Sequence, residues 1–224
     1  MNLAQKWKKR NTSKYMKPLS YTKFLWKSSN AHGIHSPFVY NLITKCFYSG
    51  TPKLYRSKKH LPVENISIEA ANTLHKIVSG IKASKLYVLG NKAEEATKIL
   101  QASGEKANTQ PWFFSTLAPI PGTIDLAYIS GNDTESLLQL LEQILPNANS
   151  NTVCIVGDIH TTAAAEKAWE AIKENPSVTV TIDTYYLGLV FFRKEQAKQH
   201  FIVRPFTNWF TNALLGVRNL WGLI

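Results

Sequence analysis

The chain has 224 residues, 44% of them hydrophobic and 11% aromatic, enough for one well-cored domain with additions and too few for two ordinary ones. That content excludes a wholly disordered chain. Two distant cysteines with no CxxC or Cys/His metal spacing exclude a disulfide framework or zinc site, and no apolar run approaches a membrane span of roughly 20 residues. The charge of +11 is uneven: residues 1–60 hold 13 of the 26 Lys and Arg and none of the 15 Asp and Glu. Such a block is attracted to polyanions, either nucleic acid or an anionic membrane surface; the alternative is a solvated arm that keeps the protein soluble. The basic start from Met1 to Arg10 has no apolar run behind it, which reads as no signal peptide and leads to an expected cytoplasmic location, peripheral to the membrane if the basic block meets lipid.

In chain order, residues 1–18 read as a basic flexible arm and 19–80 as an N-terminal helical region. A short helix is predicted from Ser20 to Trp26, a turn over Ser28–Gly33, and a helix opened by Ser36 as N-cap with Pro37 at its first position. Pro52 to Pro62 is a polar loop. Ser67 opens a helix whose Ile68, Ala71, Leu74, Ile77 and Val78 recur at helical spacing, with Ser79-Gly80 as its stop. From 81 to 205 a βα rhythm follows: strand Lys85–Gly90, helix Lys92–Ala102 stopped by Ser103-Gly104, a short strand in Thr109–Phe114, and strand Thr123–Ile129. Next come a helix capped by Asp133 or Thr134 and ended by Pro146, strand Thr152–Val156, helix Thr161–Asn175, and an antiparallel pair at Val178–Ile182 and Gly188–Arg193. Strands alternating with helices of this length predict an α/β fold, a Rossmann-like doubly wound and mostly parallel sheet closed by an antiparallel pair. Residues 206–224 repeat apolar positions at three and four, from Phe206 and Trp209 to Trp221 and Ile224, and read as an amphipathic helix.

Several segments carry a resemblance: Tyr21–Ser28, His32-Gly33-Ile34-His35-Ser36-Pro37-Phe38-Val39-Tyr40, Gly157-Asp158-Ile159-His160, Ala168–Lys173, and Val178–Asp183 with Gly188–Arg193 behind it. They are similar to a group of bacterial class I S-adenosylmethionine-dependent methyltransferases, over roughly residues 20–60 and 85–204. The resemblance implies the fold just read, S-adenosylmethionine as cofactor, and a methyl acceptor of unknown identity. It also implies where the site lies. The glycine turn after the first strand is Gly90-Asn91-Lys92-Ala93 here, with a single glycine. The ribose carboxylate expected after the second strand is missing from Gln110–Ser115. The span from Gly104 to Ile124 is short by about one βα unit.

Where the family pattern after the next strand resembles Asp-Gly-Asn-His, this chain has Ser130-Gly131-Asn132-Asp133; where it resembles Asp-Asp-Ile-His, it has Gly157-Asp158-Ile159-His160. By this resemblance Gly90, Asn91, Ser130 and Asn132 are the cofactor-binding candidates, and Asp158 and His160 the catalytic ones, as base or as remnants of a metal-holding pair; no metal is assigned. The bland alternative has Asp158 capping the next turn and His160 packing beside it. His32 and His35 have a metal-like spacing but no third ligand nearby, and are read as shaping the turn before the Ser36-Pro37 helix. Trp169 and Phe191-Phe192 are read as core. Three functions stay open: a methyltransferase-like protein, a pseudoenzyme that keeps the fold as a binding or assembly module, and a peripheral membrane protein using the basic block with residues 206–224. That terminal helix could instead serve as a homodimer contact.

Overall fold

The computed structural model describes residues 21–107, 112–114 and 122–206. The arm at 1–18 and the terminal helix read at 206–224 therefore lie outside the described residues, apart from Phe206. Helices are α1 (residues 21–27), α2 (Pro37–Phe47), α3 (Ile68–Ile81), α4 (Ala93–Lys106), α5 (Thr134–Ile144) and α6 (Ala163–Glu174). Strands are β1 (Lys85–Gly90), β2 (Trp112–Phe114), β3 (Leu126–Ser130), β4 (Val153–Gly157), β5 (Val180–Asp183), β6 (Leu187–Phe191) and β7 (Gln199–Ile202).

They form one sheet in the order β2-β1-β3-β4-β6-β5-β7. Strands β1 to β4 pair parallel, β6 runs antiparallel to both β4 and β5, and β7 pairs parallel with β5. This is the Rossmann-like α/β fold with its antiparallel closing pair. Strand β2 lies at the sheet edge, and no further strand pairs with it among the described residues; most of the span from Gly104 to Ile124, where the sequence reads as short by one βα unit, lies outside them.

Strands β1, β3, β4 and β6 read as apolar runs because both faces are covered. Side chains alternate from one face to the other along a strand. Leu86 and Val88 of β1, Tyr128 of β3 and Ile155 of β4 join the core under α2, α3 and α4. Tyr87, Leu89, Ile129, Cys154 and Val156 point the other way, toward Leu137 and Leu141 of α5 and Trp169 and Ile172 of α6. Phe191 and Phe192 divide between the two cores.

Helix starts follow the sequence closely. Ser36, Ser67, Asp133 and Thr162 each accept a hydrogen bond from the backbone N–H three residues on, satisfying a donor the helix leaves unpaired. Two predicted stops are corrected. Gly80 lies inside α3, which runs to Ile81 and closes on left-handed Lys82. A Cβ at Gly80 would come within 2.5 Å of Cys46 Sγ, so this glycine permits a close α2–α3 crossing. Likewise α4 continues past Ser103-Gly104 to Lys106, because buried Ser103 donates its hydroxyl to the Ile99 carbonyl at 2.6 Å and stays helical.

Strand β7 was not predicted. It pins the N-terminal region to the sheet: Ser29 bridges Val203, and buried Arg204 donates to the Ser28 carbonyl and to Ser28 Oγ at 2.9 Å. The turn read over Ser28–Gly33 contains a short 3₁₀ helix, Ala31–Gly33. His35 is exposed there, and the side chain of His32 is not among those described. No helix among the described residues is long and apolar enough to cross a membrane.

Candidate functional site

The C-terminal ends of β1, β3 and β4 bring most of the sequence candidates to one edge. Gly90 pairs with Ser130 across β1 and β3 and holds φ at +101°. A Cβ there would meet the Ser130 carbonyl oxygen at 1.8 Å, so glycine is required by the neighbouring strand. Two donors of the turn are used on that strand: Asn91 N–H donates to the Ser130 carbonyl at 3.2 Å and Lys92 N–H to Ser130 Oγ at 2.9 Å. The side chains of Asn91 and Asn132 join at 2.6 Å. All four cofactor candidates thus sit within one hydrogen-bonded patch.

Asp158 and His160 follow β4 but face different partners. Asp158 holds φ at +59° and pairs with Lys92, Nζ to Oδ2, at 2.5 Å; Lys92 also donates to the Asn65 carbonyl. The backbone carbonyl of Asp158 accepts from both N–H and hydroxyl of Thr161. The turn is thus closed by the Asp158 backbone, while its side chain pairs with Lys92 and the following helix is capped by Thr162. His160 stands between two carboxylates, with Nε2 2.7 Å from Asp183 and Nδ1 3.2 Å from Glu166, and its ring stacks on Tyr185.

Burial disfavours the His160 imidazolium, but the hydrogen bonds and charge of Asp183, then those of Glu166, outweigh it and hold its pKa above the ordinary value. Only the protonated ring can donate from both nitrogens. The stability this contributes is complete below the unfolded pKa of about 6.5 and is lost as pH rises through the raised folded value. In urea melts of wild type and His160→Gln, the stability difference is accordingly expected to shrink steadily from pH 6 upward. A difference that stays flat or grows with pH would contradict the bridged imidazolium.

Sequence reading missed Lys92, Asp183 and Glu166 as members of this site. Lys92 stood in the quoted turn, two residues after Gly90, but only the strand order puts it against Asp158. Among the described residues no group of three or more His, Cys, Asp and Glu could hold a metal ion. A cavity of about 760 Å³ opens beside this edge, bordered by Lys92, Asp158, His160, Tyr21, Tyr185 and Tyr186. The three tyrosine rings touch one another, with centroids 4.8 to 6.4 Å apart.

A donor such as S-adenosylmethionine presents a carboxylate, an ammonium group, a ribose diol and a sulfonium. The groups at this edge suit the first three: the Lys92 ammonium matches the carboxylate, Asp158 the ammonium, and the Asn91 and Asn132 amides, each with a donor or acceptor still to spare, the hydroxyls.

Protein-family models and curated proteins contain no match to this chain. Solved structures do. One is an SAH-bound methyltransferase from Podospora anserina, 10% identical, covering 80% of this chain and 97% of its own, with a TM-score of 0.46. Another is an O-methyltransferase from Bacillus cereus in complex with SAH, 14% identical over 59% of this chain and 85% of its own, TM-score 0.38. A third, from Streptomyces achromogenes, is an O-methyltransferase involved in tomaymycin synthesis, in complex with SAM. It is 12% identical over 68% of this chain and 89% of its own, TM-score 0.40. These likenesses concern the fold alone, and the fold rests on the strand order above.

Proposed function

We propose that this chain is an S-adenosylmethionine-dependent methyltransferase-like protein acting on an oxygen or nitrogen acceptor still to be identified. What carries the reading is the Lys92–Asp158 pair, set between the ends of β1 and β4 beside Asn91 and Asn132 and bordering the 760 Å³ cavity. Bound there, the donor would supply an electrophilic methyl group. Lys92 and Asp158 would hold its amino-acid end, and Tyr21, Tyr185 and Tyr186 would keep water from the cavity. Asp183 and Glu166 favour the protonated form of His160, and in that form the ring cannot take a proton from an acceptor.

A second reading, a pseudoenzyme that binds without turnover, is favoured by one observation: both catalytic candidates already have partners within the chain, Asp158 in Lys92 and His160 in two carboxylates.

Calorimetric titration with S-adenosylmethionine and S-adenosylhomocysteine, beside an assay of methyl release, separates these. Micromolar binding, about −8 kcal/mol, is expected, weakened about tenfold or more in Lys92→Met through loss of a charge-assisted hydrogen bond. Binding with no turnover on any oxygen or nitrogen acceptor offered selects the second reading. No heat at millimolar ligand overturns both.

A further inference from the structure

His160 also borders a second cavity, of about 560 Å³, walled by α1, α6, β5 and β7. Its charges do not cancel. Three carboxylates line it and each is already held: Asp183 and Glu166 by His160, and Glu170 by Lys173 at 2.5 Å. Lys23 and Lys27 of α1 and Lys167 of α6 line it too, and no carboxylate pairs with them among the described residues. Nor can an acidic side chain arrive from elsewhere, because all 15 Asp and Glu of the chain lie among the described residues.

Lys23 and Lys27 are one helical turn apart on the same face, an arrangement that is unfavourable for like charges. Lys167 adds a third positive charge from the facing helix. The floor beneath is apolar: Phe24 and Trp169 are buried and Phe201 is half-buried. A concave site of this size matches a small molecule rather than a polymer. An anion placed among the three ammonium groups removes their mutual repulsion, and lysine serves phosphate well as a point charge.

We propose that this cavity binds the phosphate or diphosphate group of a small molecule, with Lys23, Lys27 and Lys167 holding the anion and Phe24 and Trp169 beneath its carbon skeleton. The three lysines stand apart from the strand-end edge of Gly90 and Asn132, although His160 borders both cavities, and anion binding by them requires no methyl donor.

The probe is inorganic pyrophosphate, titrated calorimetrically into the full chain. Saturable one-to-one binding is expected, weakened about tenfold or more in the triple variant Lys23→Ala, Lys27→Ala, Lys167→Ala, and within about twofold of wild type in a control triple of equal charge loss, Lys59→Ala, Lys106→Ala, Lys194→Ala. All six lysines sit on the surface or at the cavity rim, so folding is not at stake; circular dichroism checks it, and the single variant Lys167→Gln should weaken binding in the same direction. Co-sedimentation with phosphatidic-acid vesicles that pyrophosphate displaces assigns the phosphate to a lipid headgroup, whereas pyrophosphate binding without sedimentation assigns it to a free ligand. Equal weakening in both triples, or no saturable binding at millimolar pyrophosphate, overturns the proposal.

Discussion

Gly90→Ala is expected to destabilise the protein by about 3 kcal/mol or more, through strain at a positive φ together with a steric clash. The methyl group would lie 1.8 Å from the Ser130 carbonyl oxygen and 2.7 Å from its carbon, on a backbone held at φ +101°. A flexible side chain could swing aside, but the atoms in the way belong to the backbone of β3, the central partner of β1. Relief requires the last paired residues of β1 and β3 to separate, and with them the Asn91 and Lys92 N–H bonds to Ser130. Urea denaturation would show this as a lower midpoint at an unchanged slope. The glycine's role is thereby distinguished from that of a ligand-contact residue. A variant that keeps wild-type stability and loses only S-adenosylmethionine binding would show that the donor, and not β3, is what the missing side chain makes room for.

Trp169→Ala should cost about 3 to 5 kcal/mol, the range for emptying a large aromatic site in a core. Trp169 is 2% exposed and joins α6 to the sheet core containing Ile172, Val156 and Val190. Its ring packs against Gly188 of β6, where a Cβ would come within 2.5 Å of the indole. The indole therefore depends on the absence of a side chain at 188, and the two positions should be coupled. Gly188→Ala alone is expected to destabilise by about 1 to 3 kcal/mol through overpacking. In the Trp169→Ala background the same change should cost at least about 1 kcal/mol less, since neighbouring sites are non-additive. A double-mutant cycle by chemical denaturation measures this, and strict additivity would mean that Trp169 is not seated on Gly188.

Much of the fold was legible in the chain itself because the physics involved is local. Capping by Ser36, Ser67 and Asp133 needs only a side-chain oxygen three residues before a free N–H. Pro37 and Pro146 punctuate helices by their fixed φ and missing donor. The apolar runs of β1, β3, β4 and β6 identify strands covered on both faces. Failures arose where a local signal was overruled at a distance. Gly80 and Ser103-Gly104 look like stops, yet both lie within helices, one pressed against Cys46 and the other on the buried face of α4 with Ser103 bonded to Ile99. Strand β7 carries the polar sequence Gln199-His200-Phe201-Ile202 at an edge, so no apolar run announced it.

The site divided in the same way. Gly90, Asn91, Ser130, Asn132, Asp158 and His160 were named from their positions after strands, and the strand order carries the turns that hold them to one edge. Their partners could not be read from spacing, because each is far away in the chain: Lys92 for Asp158, Asp183 for His160. The uneven charge was visible at once, but which lysines lack a carboxylate became clear only when α1 and α6 were seen to wall one cavity.

The sequence by itself determined where most helices and strands begin and end and the doubly wound class, since these follow from periodicity, capping and chain length. Only the tertiary structure decided that Gly90 is glycine because β3 lies against it, that the two catalytic candidates are already paired, and that Lys23, Lys27 and Lys167 line one cavity. Those facts depend on contacts between residues tens of positions apart, which folding creates and local pattern does not encode.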